Sequence, residues 1–105
     1  MKSENVDVEL NINETELKKS VLIYRAVNNK LRQQILKLLH QNQKLTVTEI
    51  YQRMLLVQSE ASQHLAILRK AGLVCTERDK KNVYYSVNYD RLDQIHQLSI
   101  QLNKY

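Results

Sequence analysis

Apolar residues recur at spacings of three and four along most of this chain, and in one stretch they recur at every second position instead. Leu17, Val21 and Tyr24 form a helical stripe, and Leu22, Ile23, Ala26 and Val27 beside them are apolar too. Asn13 and Glu16 are spaced as a capping box for this first helix. A helix apolar over so much of its circumference must be wrapped by the body or by a second subunit, and a dimer interface is the sharper expectation. A second helix is predicted from about Asn29 to His40, with Leu31, Ile35, Leu38 and Leu39 inward, and residues 41–44 interrupt it. Thr46 and Glu49 form another capping-box pattern, opening a third helix with Val47, Ile50, Tyr51 and Met54 inward. A short turn, Leu55 to Gln58, follows.

The next stretch, Gln58 to Val74, organises the reading. At helical spacing Ala61, Leu65 and Leu68 share one side, while Ser59, Ser62, Gln63, Ala66 and Lys70 lie opposite. That outer side is small, polar and lightly basic. It suits either a solvated face or a DNA recognition helix, because small side chains allow close approach to base edges. Gly72, the one glycine, stands where a helix stop needs a left-handed residue, with Leu73 able to fold back. The period then changes to two. Val74, Thr76 and Arg78, then Val83, Tyr85 and Val87, predict a β-hairpin with a tip at Asp79-Lys80-Lys81-Asn82, where Asn82 would take the positive φ. Of Tyr84 and Tyr85, one is expected on the recognition helix and the other in water. A last helix from Asp90 to Lys104 carries Leu92, Ile95, Leu98 and Leu102 on one side. The fold class is therefore mainly α with a small β-hairpin, a winged helix-turn-helix in the order α-α-α-α-β-β-α.

Length and charge sharpen this picture. With 105 residues the chain suits one domain with a limited core, which dimerisation would supplement. Its formal charge is +5, yet residues 1–20 hold three lysines against five acids, a net −2, leaving +7 on residues 21–105. The basic partner surface thus belongs to the body, over residues 13–105, and residues 1–12 read as a frayed acidic lead. No run reaches the ~18 apolar residues of a membrane span, and no signal peptide opens the chain, so a cytoplasmic location is expected. The single Cys75 fits a reducing compartment and is expected to pack within its strand. One glycine excludes the phosphate-cradling loops, and no set of His, Cys or carboxylates suggests an enzyme or a cofactor.

The stretch Asn28-Asn29-Lys30-Leu31-Arg32-Gln33-Gln34-Ile35-Leu36, with Arg32 and Ile35-Leu36 at the spacing of Asp/Asn-Pro-x-Arg-x-x-Ile-Leu and Lys30 in place of proline, resembles the entry to the second helix of the ArsR-type winged-helix repressors, a resemblance that covers about residues 15–100. Gln58-Ser59-Glu60-Ala61-Ser62-Gln63-His64-Leu65 resembles that family's Gln-Ser-x-x-Ser-x-His-Leu recognition helix, and Leu68-Arg69-Lys70-Ala71-Gly72-Leu73-Val74 its Leu-Arg-x-Ala-Gly-Leu-Val continuation. The resemblance implies a homodimer joined through its first and last helices, with two recognition helices in successive major grooves of a near-palindromic operator. It also exposes departures. The family's cysteine pair on the third helix is missing from Thr48 to Met54, and Gln94-Ile95-His96 retains one histidine of the last-helix metal site. No metal of those two types is expected.

The candidate DNA-binding residues follow. Gln58, Ser59, Ser62 and Gln63 are assigned base readout, since Gln pairs bidentately with adenine, and Ala66 can meet a thymine methyl. Glu60 suits the helix dipole but would repel phosphate unless it accepts from cytosine. Lys70 on the same outer side is a further DNA-binding candidate, and Arg78, Lys80, Lys81 and Asn82 at the wing tip are assigned to phosphate or minor groove. Two residues stay open: His64 as a phosphate contact or a packing histidine, and Arg32 as a phosphate ligand or part of an internal ion pair. Leu17, Val21, Tyr24, Leu92, Ile95, Leu98 and Leu102 are the candidate dimer interface. The function expected is a homodimeric repressor released by an unidentified signal. The alternative is a winged-helix module that binds an acidic protein and no DNA.

Overall fold

The computed structural model describes residues 13–93. The expected acidic lead, and Ile95, Leu98 and Leu102 with most of the segment expected as a last helix, lie outside the described residues. In chain order the elements are α1 (Glu14–Val27), α2 (Lys30–Asn42), β1 (Lys44–Thr46), α3 (Val47–Arg53), α4 (Gln58–Lys70), β2 (Val74–Asp79) and β3 (Asn82–Val87). A final helix begins at residue 89.

Side chains set these boundaries. Asn13 accepts from the Thr15 amide at the start of α1, and Asn29 accepts from the Arg32 amide at the start of α2. Thr46 and Glu49 close the capping box expected for α3: Thr46 Oγ1 accepts from the Glu49 amide, and Glu49 Oε1 accepts from the Thr46 amide. Those Thr46 bonds, backbone first and hydroxyl second, outweigh partial desolvation and, with Arg53 nearby, hold the Glu49 carboxyl below the usual carboxylate range. Asn88 caps the final helix by accepting from the Arg91 amide, and its side-chain amide donates to the Gly72 carbonyl.

The two helices of the helix-turn-helix end alike. At Gly72 (φ 76) the Leu73 amide donates to Leu68 and the Gly72 amide to Arg69, the paired 6→1 and 5→2 bonds of a Schellman stop. The same bonds run from Leu56 to Tyr51 and from Leu55 to Gln52 after α3, with Leu55 in the left-handed position at φ 57. Leucine is strained there, and its side chain is 92% exposed, so it gains little from packing. Leu55→Gly is therefore expected to stabilise the fold. The strain relieved, ~1–2 kcal/mol, exceeds the extra unfolded-state freedom of glycine, ~0.4–1 kcal/mol. Urea denaturation should show a midpoint moved upward with an unchanged slope.

The strands form one antiparallel sheet in the order β1-β3-β2. β1 is not predicted from the pattern: Lys44–Thr46 pairs with β3, Leu45 opposite Tyr85, where the spacing gives only the end of an interruption at Lys44 and the cap of α3 at Thr46. A three-residue strand is too short to show an alternating pattern, and its pairing partner lies forty residues away. At the hairpin tip Lys80, rather than Asn82, takes the positive φ (58°), and Asn82 opens β3 opposite Asp79.

The core joins all of these elements. Ile35 and Leu39 of α2, Ile50 of α3, Leu65 and Leu68 of α4, and Leu73 are fully buried. Ala26, Leu45, Val74 and Val87 close around them, with Tyr85 and Leu92 packed at the edge. Leu92, assigned to a dimer interface, thus lies half-buried against its own subunit's core. Tyr85 is the inward member of the tyrosine pair, and it packs on this shared core. Cys75 is exposed on β2, not packed as expected, because its side of the hairpin faces away from the core that Val74 enters.

Candidate nucleic-acid interface

Helix α4 packs on α1, α2 and α3, burying Ala61, Leu65 and Leu68. Gln58, Ser59, Ser62, Gln63, Ala66 and Lys70 are all exposed. The segregation follows from the helical period: three apolar residues at i, i+4 and i+7 fix the buried side, so every small polar residue turns outward. The turn of Met54 to Val57 sets α4 against α3, and two ties hold α3. Arg53 donates to the Asn42 side chain at 2.8 Å, and its guanidinium lies 3.9 Å from Glu49.

Arg32 and His64 form one unit beneath this helix. Arg32 Nε donates to the Ala26 carbonyl at 2.7 Å, one terminal nitrogen to the Arg25 carbonyl at 3.1 Å, and the other lies 3.2 Å from His64 Nδ1. The guanidinium thus ties the end of α1, through α2, to the middle of α4. Of the roles left open for Arg32, the structure favours an internal one, made with carbonyls and an imidazole rather than an acid. An arginine can only donate, so in this contact His64 Nδ1 is the acceptor. His64 is half-buried. No local spacing could have revealed this pair, 32 residues apart.

The wing carries the second group of cations. Lys80, Lys81 and Asn82 are exposed at the tip, where Arg78 Nε lies 3.4 Å from the Lys80 carbonyl. Among the described residues neither lysine is in an ion pair. At the root of the wing, Lys44 Nζ stands 4.9 Å over the Tyr84 ring and 4.0 Å from Glu77, so Tyr84 is half-covered, not simply wet. On the opposite flank Leu17, Val21 and Tyr24 are 51%, 41% and 67% exposed, an uncovered stripe along α1. His40 bonds to the Tyr89 hydroxyl at 2.9 Å, and among the described residues no cluster of three His, Cys, Asp or Glu could hold a metal ion.

A bacterial regulatory protein model, that of the arsR family, matches residues 29–76, from the cap of α2 into β2. The transcriptional activator HlyU of Vibrio cholerae is 38% identical over 90 residues, covering 82% of each chain. The chain belongs to the ArsR family. Among solved structures it resembles HlyU from Vibrio vulnificus (39% identity, TM-score 0.63, covering 85% of this chain and 92% of that one). It also resembles the transcriptional repressor PagR of Bacillus anthracis (28% identity, TM-score 0.68, covering 82% and 98%). The ArsR-type chain is thus a winged-helix transcriptional regulator, as its motifs implied. No helix among the described residues is long and apolar enough to cross a membrane.

Proposed function

We propose that this ArsR-family chain is a homodimeric, sequence-specific DNA-binding repressor that releases a near-palindromic operator when a signal arrives. The observation that carries this reading is the outer face of α4, where Ser59, Ser62, Gln63 and Ala66 are exposed together and flanked by Lys70. Such a face enters a major groove without steric conflict and offers a bidentate amide to adenine. Lys80 and Lys81 then fall to phosphates beside it. The relatives include a protein named an activator and one named a repressor. Repression needs only that the bound dimer occlude its site, so the DNA-binding face alone suffices for it.

Fluorescence anisotropy against random duplexes tests the proposal. Binding is expected at low salt, and affinity is expected to fall roughly 10³-fold or more between about 50 and 200 mM salt if about six phosphates are neutralised per dimer. A module for an acidic protein partner would leave duplexes unbound throughout.

A further inference from the structure

A groove of about 290 Å³ runs between α1 and α4, floored by Leu22, Ala26, Ile67 and Ala71 and rimmed by Arg25, Arg32 and Lys70. Its lining holds three cations and no acid, and among the described residues Arg25 and Lys70 are in no ion pair. Leu22 from α1 and Ile67 from α4 are large apolar side chains left exposed there. A surface of this kind is complementary to a molecule with an apolar body and one negative charge. Its volume lies at the small end of the range for ligand pockets, ~300–1,000 Å³. Leu22 lies roughly 140° round α1 from Leu17 and about 100° from Val21, so the groove floor is offset from the stripe of Leu17, Val21 and Tyr24, while Arg25, one turn after Val21, stands where the two meet.

We propose that this groove binds a small organic monocarboxylate with an apolar tail, and that its occupancy weakens DNA binding. The second half rests on the DNA-binding role argued above. Two of the lining residues, Ile67 and Lys70, belong to the candidate recognition helix itself. Lys70 lies at its DNA-facing edge, so a carboxylate paired with it withdraws one cation from phosphate. Arg32 lines the groove while holding His64, so a carboxylate drawn to its guanidinium pulls against the bond that seats α4. Ligand and DNA therefore favour different settings of the same side chains, which is the differential interaction that coupling requires.

Decanoate is the probe, with decanol and acetate as controls lacking the charge and the tail respectively. In calorimetry without DNA, decanoate is expected to bind one site per chain, with both controls at least tenfold weaker. Arg25→Ala and Leu22→Gln, which change the groove but no residue of the DNA face, are each expected to weaken decanoate at least fivefold and leave DNA affinity without ligand unchanged. Saturating decanoate is expected to raise the DNA dissociation constant about tenfold in the unmodified protein. Absence of decanoate binding, or equal binding in both variants, overturns the proposal, as does decanoate binding that leaves DNA affinity untouched. The two readings fail separately. If decanoate binds as described but no duplex does, the groove stands as an anion site and the DNA-binding role falls. If duplexes bind but decanoate does not, the reverse holds.

Discussion

Val21→Asp on α1 is expected to convert the proposed dimer to monomers while leaving the subunit folded, and to cut operator affinity at least 100-fold. The side chain is 41% exposed within one subunit and stands between Leu17 and Tyr24, which are more exposed still. A carboxylate there costs the isolated chain little. At the centre of an apolar contact between two copies it would be stripped of water without a partner, which disfavours association strongly. DNA affinity responds because joining two half-site binders multiplies their affinity by ~10²–10⁴ with no new contact. Sedimentation velocity reads the first effect and titration of an operator fragment the second. A dimer that survives Val21→Asp places the interface elsewhere.

Arg32→Ala is expected to destabilise the fold by about 2–4 kcal/mol and to leave the salt dependence of DNA binding unaltered. Removing the guanidinium strands the part-buried Ala26 carbonyl and the ring nitrogen of His64, leaves the exposed Arg25 carbonyl to water, and deletes the packed stem of a half-buried side chain. Lys81→Ala is the contrast. It sits exposed at the wing tip, so its loss is expected to lower the salt slope by about one while stability holds. If Arg32→Ala instead lowered the slope and spared stability, the arginine would be a phosphate ligand and the internal assignment would be wrong.

The contrast between these residues shows where the sequence was informative. Helix α4 was legible because Ala61, Leu65 and Leu68 recur at one period with small polar residues opposite them, Ile67 alone breaking the pattern, and because Gly72 marks its end. The capping box at Thr46 and Glu49 is likewise local chemistry and survives intact. What escaped was non-local. β1 exists because it pairs with β3, and Arg32 belongs to His64 across two elements; neither leaves a trace in spacing. The left-handed residues misled for a related reason. Composition assigned the wing's positive φ to an asparagine, whereas the two-residue turn between Asp79 and Asn82 imposes it on Lys80. The first helix was legible in kind but not in partner: its apolar circumference divides into Ala26 and Ile23, which face the body, and a stripe left uncovered.

The central claim is that the outer face of α4 reads bases. Its most direct test is selection of a preferred duplex from a random pool, followed by titration of every single-base variant with the unmodified protein and with Gln63→Ala. The account predicts that Gln63→Ala flattens preference at one position in each half-site, worth about 1–3 kcal/mol, while preferences elsewhere and the salt slope persist. A uniform loss across all variants, or no loss at all, would contradict it.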